Sequence, residues 1–326
     1  MRRVWSVGLC ALQFVIFAAP HAAQEKTGPT RRAHAQAEPG ALVIAYMDES
    51  RVALVDGNTF QTLATLETGK NPHEVRVSND GRHAYVAAGK TITVVDLKGR
   101  KVKANFDLGS YSAHDIRVSR DGRRIWAACA RQQSILELDS ETGETLRTYK
   151  TEQEGSWFVE VTPDERKLYT PNLEGKSVSV IERGTGRVKV IRFEHLVYGI
   201  DITPDGREVW VSGRDLAVID TAADEVIATV KTSEAETGRV RLTADGKKAV
   251  VALSKTLAVV DVKTRRLLSE TALGASPKVL TLSGDGRRAF LTNPGDNSVS
   301  VVDIVTGRPL GTFPTGKKPD GIGWAN

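Results

Sequence analysis

The chain has 326 residues, of which 40% are hydrophobic and 26% are charged, and this composition is that of an ordinary globular protein. The formal net charge is +5, from 45 basic and 40 acidic residues. The basic residues form short pairs rather than a long run interleaved with aromatic residues, which argues against a nucleic-acid-binding patch.

The N-terminal segment has the pattern of a secretory signal peptide. Arg2 and Arg3 precede an apolar run from Val4 to Ala19, which Pro20 ends. Polar residues interrupt this run, and it is too short for a comfortable membrane span. We therefore expect a signal peptide over residues 1–23, export to the periplasm or the medium, and a flexible polar linker over residues 24–40.

Export leaves a single cysteine in the mature chain. Cys10 lies inside the predicted signal peptide, so only Cys129 remains, and one thiol cannot form an internal disulfide. Cys129 follows the apolar stretch Ile125–Ala128, which predicts a buried and unreactive thiol.

Two sequence markers recur along the rest of the chain. The first is a turn sequence, exemplified by Val75–Arg82 and repeated at Ile116–Arg123, with a worn copy at Thr162–Arg166. Its aspartates, spaced 40 to 43 residues apart, are Asp80, Asp121, Asp164, Asp205, Asp245 and Asp285. The second is a β-branched run that ends in an acidic residue, in seven copies: Asp56, Asp96, Asp139, Glu182, Asp220, Asp261 and Asp303. A period near 40 is typical of propeller blades.

Each repeat has the pattern of four short strands, here called A, B, C and D. An Asp-Gly turn joins A to B, and the acidic residue at the end of C is expected to accept hydrogen bonds from the next turn. The series of repeats begins with a B strand at Leu42–Tyr46, while residues 318–324 match the start of an A strand. The sequence therefore predicts an all-β, seven-bladed propeller over residues 41–326. Its four-stranded antiparallel blades are closed by the C-terminal A strand, which joins the N-terminal B, C and D strands.

The strand sequences resemble those of the YVTN-repeat propellers. Leu168–Asn172, Phe290–Asn293 and Ala84–Ala87 are similar to the YVTN strand, and Ser177–Ile181 and Asn297–Asp303 are similar to the strand that follows it. The resemblance covers residues 41–326 and implies a periplasmic, secreted or surface propeller. It extends more weakly to the haem d1 propeller of periplasmic nitrite reductases, to an accessory protein of haem d1 synthesis and to seven-bladed lactonases. It transfers no catalytic residue, because a fold does not specify a function.

A ligand site in a propeller is expected at the channel mouth, where the A strands begin. The repeat register places one residue of each blade in a ring there: His73, His114, Trp157, Tyr198, Gly238, Lys278 and Asp320. Glu74, Asp115 and Arg239 follow three of these positions and complete the predicted ligand-binding set. The residue type at the ring position differs from blade to blade, whereas the apolar residues of the strands are similar in every repeat.

Three chemical interpretations of this ring are open. His73, His114 and Asp320 come from three consecutive blades and are a possible ligand set for a divalent metal, although no spaced metal motif supports them. Trp157 and Tyr198 would line a pocket for a planar ligand, or would simply pack where the blades converge. Lys278 and Arg239 would neutralise an anion, or would form a solvated rim.

The function hypothesis favoured by the sequence is a non-catalytic binding or scaffold protein with an unknown periplasmic protein, peptide or small-molecule partner. No G-x-S-x-G sequence, P-loop or activated cysteine is present, and no cofactor is predicted outright. The alternative is a cofactor protein with a divalent metal or tetrapyrrole over the mouth, either a haem d1-like oxidoreductase, its assembly accessory or a lactonase-like hydrolase. Without a C-x-x-C-H motif, covalent haem c is not expected. Binding of single-stranded nucleic acid ranks last.

Overall fold

The structure is a computed structural model that describes residues 40–233 and 237–326. Its 28 strands form seven four-stranded antiparallel sheets, each with the spatial order A-B-C-D. Two short 3-10 helices, Met47–Glu49 and Ala130–Gln132, follow the B strands of two blades. No helix among the described residues is both long and apolar enough to cross a membrane. The predicted signal peptide and all but the last residue of the predicted linker lie outside the described residues.

The first blade has its B, C and D strands at the start of the chain, and its A strand is the last strand, β28. The strands of blades 1 to 3 are β1 (Ala41–Tyr46), β2 (Arg51–Asp56), β3 (Thr62–Glu67), β4 (Pro72–Val77), β5 (His83–Ala88), β6 (Thr91–Asp96), β7 (Lys101–Asp107), β8 (Asp115–Val118), β9 (Arg124–Cys129), β10 (Ser134–Asp139) and β11 (Thr145–Lys150). The strands of blades 4 and 5 are β12 (Glu160–Val161), β13 (Lys167–Asn172), β14 (Ser177–Glu182), β15 (Val188–Arg192), β16 (Ile200–Ile202), β17 (Glu208–Ser212), β18 (Leu216–Asp220) and β19 (Glu225–Val230).

Blades 6 and 7 complete the ring. Their strands, with the closing strand, are β20 (Thr237–Leu242), β21 (Lys248–Leu253), β22 (Thr256–Asp261), β23 (Leu267–Ala272), β24 (Leu280–Leu282), β25 (Arg288–Asn293), β26 (Ser298–Asp303), β27 (Arg308–Pro314) and β28 (Pro319–Ala325). β28 pairs with β1 in an antiparallel register that sets Val43 opposite Gly323. The predicted seven blades and the predicted closure by the two chain ends are therefore confirmed.

The turn sequence forms the same hydrogen bonds in each copy. In blade 2 the Ser78 hydroxyl donates to Asp80 Oδ1 at 2.6 Å, and the same carboxylate oxygen accepts the backbone N–H of Arg82 at 3.0 Å. Gly81 takes a positive φ of 67° at the tip of this turn. The worn copy keeps the turn, since Glu165 adopts a φ of 58° where the other copies have glycine.

The acidic residues at the ends of the C strands accept backbone hydrogen bonds as predicted. Asp56 Oδ1, for example, accepts the N–H groups of Asn58 and Thr59 at 2.9 and 2.7 Å. These bonds lower the pKa of Asp56. Glu182 differs: its longer side chain pairs with Arg187 and accepts the hydroxyl of Thr185. The aspartates thus fix the C–D turns of their blades.

The apolar core lies between the blades. Seven clusters of buried residues each join one pair of neighbouring blades, including the pair made by blades 7 and 1. The B and C strands are buried on both faces, as in β5, whereas the outer D strands consist mostly of exposed and partly buried residues, as in β7. Cys129 lies in one cluster, and burial raises the pKa of its thiol to about 12, which agrees with the predicted inert residue.

Candidate functional site

The ring of residues at the starts of the A strands converges at one end of the channel. His73 Nδ1 lies 2.9 Å from Asp320 Oδ2, and the rings of His73 and His114 stack with centroids 4.6 Å apart. Trp157 meets His114 edge-on at 5.0 Å. Lys278 Nζ lies 3.1 Å from Asp320 Oδ1. The structure therefore brings together the predicted mouth residues of five blades, while their role in binding a ligand stays a prediction.

A glycine allows two A strands to approach closely enough for the contact between His73 and Asp320. A Cβ on Gly321 would lie 2.0 Å from the carbonyl oxygen of His73 and 2.7 Å from the Cα of Glu74. Only glycine fits at this crossing of β28 and β4, and the adjacent Asp320 is thereby held against the imidazole. The register that makes blade 1 from both chain ends thus also builds this part of the site.

The contacts of His73 indicate its tautomer. Asn71 Nδ2 lies 2.9 Å from His73 Nε2, and an amide nitrogen can only donate, so Nε2 is the acceptor. The Nδ1–H group consequently donates to Asp320. Burial alone would raise the pKa of Asp320, but the bond from His73 and the nearby Lys278 hold it below its ordinary value. The His73 side chain is 20% exposed at the mouth, and its Nε2 contacts the exposed Asn71.

His114 has a different environment. Its Nδ1 is buried and has no hydrogen-bond partner among the described residues. Burial lowers the pKa of His114 to about 4, so the imidazole is neutral at physiological pH. Its ring is enclosed by His73, Trp157 and Phe158. His114 therefore acts as packing beneath the rim of the mouth.

The aromatic residues form a connected wall, with Phe158 at its centre. Phe158 meets Tyr198 edge-on at 4.9 Å and His114 at 5.1 Å. Trp157 lies further out, where its Nε1 donates to Glu174 at 3.1 Å. The predicted neighbours Trp157 and Tyr198 are thus linked through the rings of His114 and Phe158. Burial raises the pKa of Tyr198 to about 12, so its hydroxyl stays protonated.

Arg239 is not part of a solvated rim. Its side chain is fully buried, its guanidinium carbon lies 3.8 Å from the centroid of Phe158, and its Nη2 lies 2.9 Å from Glu74 Oε1. The carboxylates of Glu74 and Asp115 raise the pKa of Arg239 against the effect of burial. Arg239 and Glu74 thus cross the channel just below the mouth, and the solvated alternative is wrong for this residue.

Asp115 lies in an ionic network below the ring. Its carboxylate lies 3.0 Å from Arg76 Nη2 and 3.1 Å from Arg117 Nη1, and Arg117 Nε donates to Glu160 Oε2 at 2.7 Å. Burial opposes ionisation, but Arg117 and Arg76 hold the pKa of Asp115 well below its usual range. The sequence interpretation missed Arg76, Arg117 and Glu160. The available signal was charge at alternate positions of the A strands, which places those side chains on one face of a strand.

The three predicted metal ligands do not form a metal site by themselves. The two oxygens of Asp320 face His73 and Lys278, and the imidazole rings stack instead of directing nitrogens to one point. In the described part of the chain, no group of three or more His, Cys, Asp or Glu residues is placed to hold a metal ion. The hypothesis of a divalent metal bound by His73, His114 and Asp320 alone is therefore not supported.

Two asparagines at the ends of B strands belong to the blade interiors. Asn172 donates to the hydroxyls of Ser177 and Ser179 at 3.0 and 2.9 Å, and Asn293 makes the same bonds in its own blade. Both amides are buried. They hold the B and C strands of their blades together and do not face a ligand.

Comparisons with known proteins agree with the fold. The family model of the cytochrome D1 heme domain matches residues 38–153, about a third of the chain. The matched segment contains both His73 and His114. No curated protein sequence matches the chain.

Solved structures resemble the chain over most of its length. Hydrazine synthase of Kuenenia stuttgartiensis is 20% identical with a TM-score of 0.73, covering 81% of this chain and 92% of the other. The dihydro-heme d1 dehydrogenase NirN, solved in complex with DHE, is 16% identical with a TM-score of 0.62, covering 87% and 74%. A functionally unknown protein from Desulfotomaculum acetoxidans is 13% identical with a TM-score of 0.76, covering 88% and 99%.

The chain is consistent with a YVTN/haem d1-like seven-bladed propeller. At these identities the solved structures establish the fold alone. The match to the heme-domain family covers the blades that carry His73 and His114.

Proposed function

We propose that this propeller is an exported binding protein whose channel mouth holds a planar, anionic metallo-tetrapyrrole. The observation that carries the proposal is the Asp320–His73 pair at the rim, with the Nε2 lone pair of His73 on the mouth side. The N-terminal segment, with its signal-peptide pattern, supports a periplasmic or extracellular location.

The His73 pair has the chemistry of a metal-ligating histidine. Ligating histidines commonly donate the other ring N–H to a carboxylate, which fixes the tautomer and raises the basicity of the ligating nitrogen. Asp320 accepts that bond here, and only the exposed Asn71 amide would have to move aside. A metallo-tetrapyrrole carries four ligands of its own, so one imidazole suffices where a bare metal ion needs several protein ligands.

The surroundings of His73 suit the rest of such a ligand. Trp157 and Tyr198 offer partly exposed aromatic surface for a flat ring system. Lys278 is 38% exposed beside Asp320 and is available to a carboxylate. In this arrangement His73 would hold the metal, Asp320 would orient His73, and Lys278 would position an acidic side group. A bound iron tetrapyrrole would supply redox or electron-transfer chemistry, and we assign no catalytic residue.

The comparisons support the ligand class. The heme-domain family model covers the blades that supply His73 and His114, and a solved propeller of similar fold is a dihydro-heme d1 dehydrogenase in complex with DHE. The competing hypothesis of a scaffold for a protein or peptide uses the same mouth without a cofactor.

The experiment is a haemin titration of the purified mature chain, followed by absorption spectroscopy. We expect saturable binding of one haemin per chain with a shifted Soret band. His73→Ala should abolish the shift, and His83→Ala, on a strand end remote from the mouth, should leave it unchanged.

Two results of the haemin titration would contradict the proposal. Absence of saturable binding, or equal binding by the wild type and His73→Ala, would remove the tetrapyrrole hypothesis. The scaffold hypothesis would then be preferred.

A further inference from the structure

The channel contains a cavity below the ion pair of Glu74 and Arg239. Its volume is about 200 Å³, and residues of six blades line it: Val75, Arg76, Val77, Arg117, Asp201, Arg241, Thr281, Ile322, Gly323 and Trp324. Val77 and Trp324 lie near the ends of their A strands and are partly exposed, so the cavity lies toward the Asp-Gly-turn face. It is thus at the opposite end of the channel from His73.

The lining of this cavity is strongly cationic. Arg76, Arg117 and Arg241 contribute three guanidinium groups, and Asp201 is the one carboxylate in the lining. The oxygens of Asp201 already accept backbone N–H groups, from Ile202 at 3.0 Å and from Leu242 at 2.7 Å. Asp201 therefore compensates the three cations only in part.

Two of the three arginines have acidic partners elsewhere. Arg76 lies 3.3 Å from Glu74 Oε2 and 3.0 Å from Asp115 Oδ1. Arg117 contacts both carboxylate oxygens of Glu160. None of these three carboxylates lines the cavity.

Arg241 is the exception. Its Nη1 donates to the carbonyl oxygen of the preceding Val240 at 3.2 Å, and its Nη2 is buried without a hydrogen-bond partner. Among the described residues, no carboxylate lies within the 4.0 Å limit of an ion pair with Arg241. Burial, together with Arg76 and Arg239, lowers the pKa of Arg241 to about 9.

A buried charge without a partner is costly, and an anion placed beside it offsets that cost. The cavity has the volume for a tetrahedral oxyanion and a few waters, but not for a macrocycle. Guanidinium groups bind oxyanions through paired N–H donors, and the arginines here come from three different blades.

We propose that this lower cavity is a binding site for a small oxyanion of the phosphate or sulfate class. Arg241 is its principal donor, Arg76 and Arg117 flank it, and Thr281 completes the lining. The site is independent of the tetrapyrrole proposal, because Glu74, Arg239 and Phe158 lie between the cavity and the mouth.

The test is thermal unfolding of the mature protein in inorganic phosphate, compared with chloride at the same ionic strength. We expect the wild-type Tm to rise saturably with phosphate, since a ligand that binds only the folded state stabilises it. Arg241→Met should weaken the dissociation constant for phosphate by at least about tenfold. In phosphate-free buffer, Arg241→Met should be no less stable than the wild type, because it removes an unpaired buried cation.

The matched control is Arg207→Met, which removes a highly exposed arginine from the same face of the propeller. It should keep the full phosphate response, and so should His73→Ala. Should Arg241→Met fail to fold, Arg241→Lys keeps the charge without the paired donors and should show a weakened response. A wild type that responds equally to phosphate and chloride, or an Arg241 variant with an undiminished response, would overturn the proposal.

Discussion

Glu74 Oε1 and Arg239 Nη2 lie 2.9 Å apart across the central channel, on blades 2 and 6. Both side chains are buried, and Phe158 covers the guanidinium group. The pair separates a mouth of histidines and aromatic residues from a lower cavity lined by arginines. The two ends of the channel therefore have different chemistry and are proposed to take different ligands.

Removing one member of this pair should be strongly destabilising. Glu74→Ala leaves Arg239 buried without its partner, and we expect a loss of roughly 3–5 kcal/mol in the free energy of unfolding. The double variant Glu74→Met with Arg239→Met should lose less than the sum of the single changes. Denaturant unfolding measures both. Lys103→Ala, which breaks the exposed pair with Glu141, should change stability by less than about 1 kcal/mol; a similar effect at both sites would contradict the buried pair.

Gly321→Ala should disturb both the fold and the mouth. The added Cβ would meet the backbone of His73 and Glu74, so β28 and β4 must separate. We expect a loss of roughly 1–3 kcal/mol in the free energy of unfolding and weaker haemin binding, because Asp320 moves with the strand. Gly295→Ala is the matched control, since nothing lies within 4 Å of its Cβ position. Equal stability of the two variants would show that the strand crossing is not tight.

The neutral state of His114 predicts a loss of stability in acid. Burial lowers the pKa of His114 from 6.5 to about 4, so at pH 5 the unfolded chain binds a proton that the folded protein excludes. The contribution of neutral His114 to the free energy of unfolding is fully present above pH 6.5 and decreases as the pH drops toward 4. His114→Phe should remove roughly 2 kcal/mol of the decrease between pH 7.5 and pH 5, as measured by denaturant unfolding. His83→Phe should not alter the decrease, and identical pH profiles for wild type and His114→Phe would refute the burial effect.

Lys278 should select ligands with acidic side groups. Lys278→Gln should weaken haemin binding by about threefold, because a partly exposed ion pair contributes little more than this. The affinity for haemin dimethyl ester, which lacks the charges, should not change. The control is Lys317→Gln, which changes an exposed lysine in the D–A connection on the mouth face. It should leave both affinities unaltered. A loss of affinity for the ester would indicate that Lys278 acts through packing.

The fold could be predicted because its determinants are local and repeated. The A–B turn sequence around Asp80 and the acidic residue at the end of the C strand, such as Asp56, recur with the period of a blade. Each fixes the turn in which it lies by accepting hydrogen bonds from nearby backbone groups. The match between residues 318–324 and the start of an A strand was enough to predict the β1–β28 closure. The same register also predicted that His73, His114 and Asp320 meet.

The chemistry inside the channel was predicted less well. Arg239 was assigned either to an anion site or to a solvated rim, since arginine is rarely buried, but its partner Glu74 lies 165 positions away along the chain. Arg241 and Asp201 have unremarkable local sequence contexts. Their burial results from the packing of seven A strands around one axis. A sequence pattern indicates which face of a strand a residue occupies, but it does not indicate how close that residue lies to one on the other side of the channel.

The most direct measurement of the central claim is the resonance Raman spectrum of the reduced haemin complex. If His73 Nε2 binds the iron and Asp320 accepts its Nδ1–H, the wild type will show an iron–histidine stretching band. The band will shift to lower frequency in Asp320→Asn, because the ligand loses basicity, and will vanish in His73→Ala. A spectrum without this band, or a band that neither variant alters, would contradict the account.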